Sequence, residues 1–320
     1  MKSFFRYPLV LLGLAFVVSA FAQSSNIPIK IVVPFTPGTG MDTIARTVQT
    51  QLGERMGQTV LVQNIPGASG NIGADFVAKS APDGNTILMG ANTMLIASQL
   101  YKSATFNPLK DFTPVSMAAY GTLMLVANPK FDIKSVKQLV ALSMARPGFV
   151  TFGSPGVGTP HHMAMELFKL ETKSFMLHVP YRGSAGYTQD LLAGEVMVGF
   201  LPVHVAQDFV KSGKLIALAV GGSRRHPVAL DVPTFQELGY KEINVDLWYA
   251  FFVPVKTPIA IVNKLNSEFV NILQQQQVKD ILGKAGLDAS SSTPEELSAI
   301  EAKDYPRWGR VIKLKNIIAE

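Results

Sequence analysis

Residues 31–46 have the sequence IVVPFTPGTGMDTIAR. The apolar run at residues 31–33 predicts a buried β-strand, and the prolines and glycines after it end regular structure. Asp42 opens a helix whose apolar face continues through Ile44 and Val48. Such a turn leaves backbone N–H groups pointing outward, and the helix dipole adds positive potential there. These residues therefore predict an anion site that a carboxylate would satisfy.

The same order of strand, glycine-rich loop and helix occurs three more times. We name the four loops loop 1 (residues 35–40, FTPGTG), loop 2 (64–71, NIPGASGN), loop 3 (153–159, GSPGVGT) and loop 4 (180–184, PYRGS). Alternating strands and helices with short connections predict parallel sheets, and ligands of such sheets bind at the carboxyl ends of the strands. Each half of the chain contains two of these turns, so we expect all four to face one cleft.

The strand pattern also predicts where the chain passes between two lobes. An apolar strand at residues 123–127 is expected to lead into the second lobe, and an aromatic, apolar strand at 248–253 to lead back. We therefore expect lobe 1 to contain residues 23–124 and 250–320, and lobe 2 to contain residues 125–249. Residues 258–320 are expected to be mostly helical.

Residues 1–22 have the features of a secretory signal peptide. Lys2 and Arg6 supply a basic start, residues 9–18 are apolar, and Ala20 and Ala22 flank Phe21 in a small-x-small cleavage site. The apolar run is short for a membrane span. We expect cleavage after Ala22 and a mature chain located in the periplasm.

Composition narrows the classes of function. The 320 residues contain no cysteine, which excludes disulfides, thiolate metal ligands and a cysteine-attached lipid anchor. The formal net charge of +6 includes Lys2 and Arg6 of the leader, and their removal leaves +4. No basic run with interleaved aromatic residues indicates a nucleic-acid partner. The short motifs of hydrolases, zinc peptidases and nucleotide-binding enzymes are absent, so we expect no catalytic residue, metal or cofactor.

Several stretches resemble the substrate-binding proteins of tripartite tricarboxylate transporters, also called the Bug family. They include VPFTPGTGMDTIAR at 33–46, GQTVLVQNIPGASGNIGA at 57–74, TFGSPGVGTPHHMAMELF at 151–168 and VPYRGSAGYTQDLLAGEV at 179–196. Their order and spacing extend the resemblance over essentially the whole mature chain. The chain departs from the family pattern at Thr39 and Met41 of the first turn, which concerns the identity of the ligand more than the fold.

The resemblance implies an α/β, type II periplasmic-binding-protein fold. Two parallel-sheet-rich lobes are joined by crossing strands, with a ligand cleft between them. A carboxylate would be held by backbone N–H groups and short hydroxyl side chains of the glycine loops. The loaded protein, expected to be a monomer, would then dock on a two-component membrane permease.

The candidate ligand-binding residues lie in the four loops and at strand ends. Thr39 and Ser69 would offer hydroxyl groups beside backbone donors. Arg182 would either clamp a second carboxylate or lie solvated on the surface. The full set comprises Phe35, Gly38, Thr39, Gly40, Gly67, Ala68, Ser69, Asn92, Ser154, Gly158, Thr159, His162, Arg182 and Phe200.

Four further residues have structural interpretations. Asp42 is expected to bond loop N–H groups, because a bare carboxylate would repel an anionic ligand. Of the adjacent His161 and His162, one is expected to face the cleft and the other solvent, and His162 has a structural hydrogen bond as its alternative role. Trp248 is expected to pack at the hinge.

The sequence predicts a solute-binding protein without catalysis, which captures a dicarboxylate, tricarboxylate or aromatic acid by closure of two lobes. Thr39, Met41 and the scarcity of cations in the loops favour an apolar or aromatic acid over citrate. Two alternatives stay open at this point. The closed protein could present its ligand to a membrane sensor, or the chain could be an exported hydrolase with Ser69 or Ser154 as nucleophile and His162 as base.

Overall fold

The computed structural model describes residues 27–102, 104–181 and 183–318. The expected signal peptide and Arg182 therefore lie outside the described residues. Within the described ranges, none of the helices combines the length and the apolar character needed to cross a membrane.

Two sheets organise the described chain. The first sheet has the order β11-β4-β10-β3-β1-β2, and the second has the order β7-β6-β8-β5-β9. The strands are β1 (Ile29–Val33), β2 (Val60–Asn64), β3 (Thr86–Ala91), β4 (Phe112–Gly121), β5 (Leu123–Ala127), β6 (Thr151–Ser154), β7 (Leu177–Pro180), β8 (Val198–Pro202), β9 (Ile216–Val220), β10 (Leu247–Pro254) and β11 (Asp288–Ala289).

Helices cover the sheets and follow the loops. They are α1 (Gly40–Met56), α2 (Asn71–Ala78), α3 (Asn92–Leu100), α4 (Val136–Ala145), α5 (Pro160–Glu171), α6 (Ser184–Ala193), α7 (Val203–Lys211), α8 (Ile259–Leu273), α9 (Gln276–Lys284) and α10 (Pro294–Leu314). The mostly helical C-terminal part agrees with the expectation from sequence.

Strand direction differs between the strands that helices connect and the strands that cross between sheets. β1 pairs in parallel with β2 and β3, and β6 pairs in parallel with β7 and β8. The crossing strands are antiparallel: β10 to β3 and β4, and β5 to β8 and β9. Each sheet is therefore mixed, because a strand that arrives directly from the other lobe has no helical crossover to fix its direction.

The chain changes sheets at two short segments. Only Thr122 separates β4 of the first sheet from β5 of the second, and β10 rejoins the first sheet at Leu247. The expected boundaries at 124/125 and 249/250 lie slightly later in the chain than these changes. α10 spans both lobes, since Leu297 packs in a core of the first sheet whereas Trp308 and Val311 pack in the core of the second.

α1 shows how local sequence positions a functional loop. Ile44, Val48 and Leu52 follow one another at intervals of four residues and are fully buried, and each buried side chain of this size contributes about 2 kcal/mol. Thr39 caps the N-terminus of the helix, and Gly57, with a φ of 65°, ends it in the left-handed conformation. The packed face and the two caps hold the N-terminus of α1 in a fixed position beside loop 1.

Candidate functional site

A cleft of about 670 Å³ lies between the two sheets, and all four glycine loops reach it. A pocket of this size is typical of small-molecule sites. Loop 1 contributes its whole length, and the other loops contribute Ser69, Gly158, Thr159, Gly183 and Ser184 among others. The expected convergence of the four turns on one cleft is therefore present in the structure.

Helix N-termini dominate the polar side of this cleft. α1, α3, α5 and α6 all begin at residues that line it, and α7 contributes Pro202, just before its start, and His204. Within the described part of the chain, the lining includes no Lys, Arg, Asp or Glu side chain. On this described lining, an anion would therefore meet helix dipoles and backbone N–H groups.

In loop 1, the carboxylate of Asp42 stabilises the turn by accepting three hydrogen bonds. Its Oδ2 accepts from the Gly38 N–H at 3.0 Å and from Arg46 Nε at 2.9 Å, and its Oδ1 accepts from Asn64 Nδ2 at 3.0 Å. Burial alone would raise the pKa of Asp42, but the hydrogen bonds from Arg46, Gly38 and Asn64 outweigh it and hold the pKa below its ordinary value. The expectation that Asp42 is structural is confirmed.

The first turn of α1 leaves backbone donors for a ligand. Thr39 Oγ1 accepts from the Asp42 N–H at 3.4 Å, and the Gly38 N–H is bonded to the Asp42 carboxylate. The N–H groups of Thr39, Gly40 and Met41 have no acceptor within the helix, because the first turn of any α-helix lacks them. The Thr39 hydroxyl acts as the helix cap, and a further role as donor to the ligand stays a prediction.

Loop 3 repeats this design in the other lobe with a histidine. Thr159 Oγ1 accepts from the His162 N–H at 3.5 Å, and His162 Nδ1 accepts from the Gly158 N–H at 3.1 Å. His162 is buried, and its ring stacks on the ring of His178 at 4.1 Å between centroids. Burial, with His178 and Lys169 nearby, lowers the pKa of His162 to about 3. His162 therefore fastens loop 3 and does not line the cleft.

The neighbouring His161 does line the cleft. Its ring meets the ring of Tyr187 edge-on at 6.4 Å, and burial lowers its pKa to about 4. At neutral pH it is an uncharged polar group. Of the two histidines, the expected cleft-facing member is thus His161, whereas His162 faces the interior of lobe 2 instead of solvent.

The predicted site residues fall into two groups. The cleft is lined by Phe35, Gly38, Thr39, Gly40, Ser69, Asn92, Gly158 and Thr159. The remaining described candidates lie outside that lining: Gly67, Ala68, Ser154, His162 and Phe200. The Phe200 side chain is buried in the core of lobe 2, and its carbonyl accepts from Tyr187 Oη at 2.7 Å. Arg182 lies outside the described residues, beside Gly183 of the lining.

Other lining residues escaped the sequence analysis. They include Tyr187, His204, Leu247, Tyr249 and Leu287. These residues come from two helices, α6 and α7, from the crossing strand β10 and from the segment between α9 and β11. None of them lies in a glycine loop, and although Tyr187 belongs to the family-like stretch 179–196, only the packing of distant elements brings these residues to the cleft.

Neither candidate nucleophile is paired with His162. Ser154 is fully buried, and its Oγ lies 2.7 Å from Nε2 of His178. Burial, with Lys169 nearby, lowers the pKa of His178 to about 4. Ser69 Oγ instead donates to Tyr101 Oη at 2.9 Å. The described side chains therefore do not form the pair of a serine nucleophile with His162 that the hydrolase alternative requires.

The two lobes touch on one side of the cleft through Tyr101. Its hydroxyl, bonded to Ser69 of loop 2, lies 3.4 Å from the carbonyl oxygen of Val157 in loop 3. A Cβ placed on Gly158 would lie 2.5 Å from Leu100 Cδ2. Because these two glycine loops belong to different lobes, this contact joins both halves of the ligand site.

The lobes also touch on the other side of the cleft. A Cβ placed on Gly286 would lie 2.0 Å from His204 Nδ1, so only glycine fits there. Close by, His226 Nε2 lies 3.8 Å from Asp288 Oδ2. The structure therefore has its lobes in contact on both flanks of the cleft, as expected of a closed arrangement.

Polar contacts tie the two crossing segments together. Thr122 Oγ1 donates to Asp246 Oδ1 at 3.2 Å, and Asn92 Nδ2 donates to the Asp246 carbonyl at 3.1 Å. Burial raises the pKa of Asp246 to about 6. Trp248 is buried beside them and donates through Nε1 to Asp304 Oδ2 at 2.8 Å. Trp248 packs in a core of the first sheet near the start of β10, and its role at a hinge stays a prediction.

Comparison with known proteins places this geometry in a family. Residues 44–317 match the model of the tripartite tricarboxylate transporter family receptor. The chain is 36% identical over 303 residues to Protein BugT of Bordetella pertussis, and the alignment covers 94% of this chain and 93% of BugT.

Two solved structures superpose on this chain over nearly its whole length. The periplasmic binding protein BugD superposes with a TM-score of 0.77 at 27% identity, covering 92% of this chain and 99% of BugD. The R. palustris protein Rpa4515, solved with adipate, superposes with a TM-score of 0.79 at 30% identity, covering 91% of this chain and 98% of that protein.

The chain belongs to the tripartite tricarboxylate transporter receptor family. Its fold is the two-lobed α/β fold of periplasmic binding proteins, as the resemblance implied. It is a solute-binding receptor and not an enzyme, because its relatives are receptors. The hydrolase alternative is thereby excluded.

Proposed function

With this family membership as the premise, we propose that the protein captures a small carboxylate in the periplasm and delivers it to a two-component membrane permease. The leader would be removed after Ala22, and the receptor would act as a monomer. The ligand would be a dicarboxylate, a tricarboxylate or an aromatic acid. Support for a carboxylate comes from the cleft itself and from Rpa4515, which was solved with adipate.

One observation carries the proposal: the N-terminus of the 17-residue helix α1 opens into the cleft, with N–H groups that have no acceptor within the helix. The donors of Thr39, Gly40 and Met41 converge where the helix dipole favours an anion. Hydrogen bonds to a charged group contribute about 1.5–3 kcal/mol each. Three of them, with contacts from lobe 2, approach the roughly −8 kcal/mol of a micromolar complex.

The rest of the cleft favours a ligand with an apolar body. Met41, Leu201, Leu247 and Leu287 line it together with Tyr249. The polar groups of lobe 2 include Thr159 and Ser184, which stand at the starts of α5 and α6. An acid whose first carboxylate binds loop 1 would place its body against these apolar walls and its second polar group toward loops 3 and 4. Arg182 remains our candidate for a second carboxylate.

The decisive experiment replaces Gly40 by proline and by alanine. Proline is well tolerated at the first position of a helix, as Pro160 shows at the start of α5, but it removes one N–H donor. A Cβ at residue 40 would lie 3.3 Å from Tyr249 Oη, and the alanine variant reproduces this crowding while it keeps the donor.

Gly40→Pro is expected to bind the ligand about tenfold more weakly than Gly40→Ala, the loss expected for one charge-assisted hydrogen bond. Isothermal titration calorimetry would measure both, after a thermal-shift screen of dicarboxylates, tricarboxylates and aromatic acids has named the ligand. Equal affinities of the two variants would refute capture by the N–H groups of α1.

Loss of uptake in cells that lack the receptor would test delivery to a permease.

A further inference from the structure

A second cavity, of about 300 Å³, lies on lobe 2 behind loop 3. We call it the rear pocket and define it by His162, Glu166, Lys169, Phe175, His178 and Lys315, which line it. It shares none of its lining residues with the cleft. Loop 3 separates the two cavities, because Val157 faces the rear pocket whereas Gly158 and Thr159 face the cleft.

Among its described lining residues, the rear pocket has two lysines and one glutamate. Lys169 Nζ donates to Glu166 Oε1 at 2.5 Å, and these two residues are only 7% and 5% exposed. Lys315 reaches the same place from the end of α10: burial lowers its pKa, Glu166 raises it and Lys169 lowers it. Glu166 is paired with Lys169, and Lys315 lies near enough to this pair for both residues to act on it electrostatically. Lys169 disfavours the charged form of the partly buried Lys315, and an anion bound between the two ammonium groups would offset this repulsion.

Neutral polar groups complete the rear pocket. The rings of His162 and His178 stack at 4.1 Å between centroids. Burial and the nearby Lys169 lower the pKa values of both rings, so both are uncharged at neutral pH. Phe175 stands at the rim with 56% of its surface exposed, and Lys169 Nζ lies 5.7 Å from the centroid of its ring. The rim thus offers an apolar contact beside the cations.

We propose that the rear pocket is a second binding site, which takes a small oxyanion between Lys169 and Lys315. Carboxylate and phosphate oxygens share the required chemistry, since both accept charge-assisted hydrogen bonds from ammonium groups. The site is distinct from the cleft, where helix N-termini provide the donors. Its occupant would touch His162, the residue that bonds the Gly158 N–H of loop 3.

The test compares Lys315→Gln with Lys313→Gln. Lys315 lines the rear pocket, whereas Lys313 is exposed near the same end of α10 and lies outside the lining. Each change removes one ammonium group, so effects of net charge are matched. The purified protein would be titrated with inorganic phosphate and separately with benzoate, against chloride at equal ionic strength. The imidazole resonances of His178 would be followed by NMR.

We expect at least one of the two anions to shift the His178 resonances saturably in the wild type and in Lys313→Gln. Lys315→Gln should raise the half-saturating concentration about tenfold, the loss of one charge-assisted contact. Saturation by phosphate alone identifies a phosphate-type ligand, and saturation by benzoate alone identifies an acid with an apolar body. Gly40→Pro should leave the response unchanged. Absence of saturation with both anions, or equal half-saturation in the two lysine variants, would overturn the proposal.

Discussion

Loop 1 and loop 3 each hold a glycine turn at the N-terminus of a helix, but they use different side chains to do so. Each has a glycine followed by a threonine that caps a helix, and in each the third helical residue accepts the N–H of that glycine. In lobe 1 the acceptor is Asp42, a carboxylate that also binds Arg46 and Asn64. In lobe 2 it is His162, an uncharged ring held in an aromatic stack.

The two loops also differ in the donors they leave for a ligand. Loop 1 leaves the N–H groups of Thr39, Gly40 and Met41. In loop 3, Pro160 has no N–H, and the Thr159 N–H is bonded to the Gly156 carbonyl at 3.3 Å. Under the proposed function, this difference predicts that lobe 1 anchors the carboxylate and that lobe 2 closes over the rest of the ligand.

The largest expected effect is that of Asp42→Ala, which would break the charged fastening of lobe 1. It leaves the Gly38 N–H, Asn64 and Arg46 without their shared acceptor. We expect a loss of about 4 kcal/mol in the free energy of unfolding, as for other broken buried charge networks. Chemical denaturation would measure it. Arg46→Ala is the matched control, because Arg46 is half exposed, and a loss of equal size there would contradict the central role of Asp42.

His162→Ala would break the corresponding fastening in lobe 2. The variant loses one hydrogen bond and leaves a cavity beside His178, for about 2 kcal/mol. The neighbouring His161→Ala should cost less stability and should change ligand affinity instead, because His161 lines the cleft. The comparison fails if the stability of the His161 variant falls further than that of the His162 variant.

As the pH falls below 7, the stability contributed by His162 in lobe 2 should decrease before the stability contributed by Asp42 in lobe 1. The pKa of His162 is lowered from 6.5 to about 3. Between these two pH values, the unfolded chain binds a proton at this residue and the folded chain does not. Stability from this group is complete above pH 6.5 and is lost as the pH falls toward 3. We expect His162 to contribute a loss of about 2 kcal/mol between pH 7 and pH 4.5. Denaturation series at several pH values, with a shallower slope in His162→Ala, would verify this.

Asp42 should lose its stabilising effect only at the acidic end of that pH range. Its folded pKa lies below the ordinary value of 3.8, so its stabilisation persists above that value and is lost only as the pH falls through the lowered pKa. An Asp42→Asn variant that flattened the denaturation profile between pH 7 and pH 5 would contradict this order.

The smallest expected effect concerns the contact between the lobes. Tyr101→Phe removes the hydroxyl that joins Ser69 of loop 2 to Val157 of loop 3. We expect a loss of stability of about 0.5 kcal/mol and faster ligand release, because the open state gains relative to the closed one. Stopped-flow measurement of the dissociation rate would detect the change. An unchanged rate would show that the Tyr101 hydroxyl does not hold the closed arrangement.

Much of the candidate site was predictable because its signals are local. Glycines that permit left-handed turns, threonines at helix starts and apolar runs before each loop all act within a few residues. They marked the four loops and eight residues that line the cleft. The spacing of Thr39 to Asp42 and of Thr159 to His162 also contained the signal that His162 is structural, since the third helical residue points back toward its cap.

The elements that sequence analysis did not assign depend on distant partners. β4 contains Pro114 and two small residues, Ala118 and Ala119, and it becomes a strand by pairing with β10 and β11. α3 and α7 follow strands directly, without a glycine loop to announce them.

The sequence by itself determined the repeated turns, the helix caps and the scarcity of charged residues in the loops, because these depend on residue identity and on the conformational preferences of neighbouring residues. Tertiary structure decided which histidine faces the cleft, where the strands cross between sheets, and how Tyr101, Tyr249 and Leu287 reach the ligand site. These features arise from contacts between residues far apart in the chain. Their free energy depends on the packing of whole elements, which no short stretch of sequence encodes.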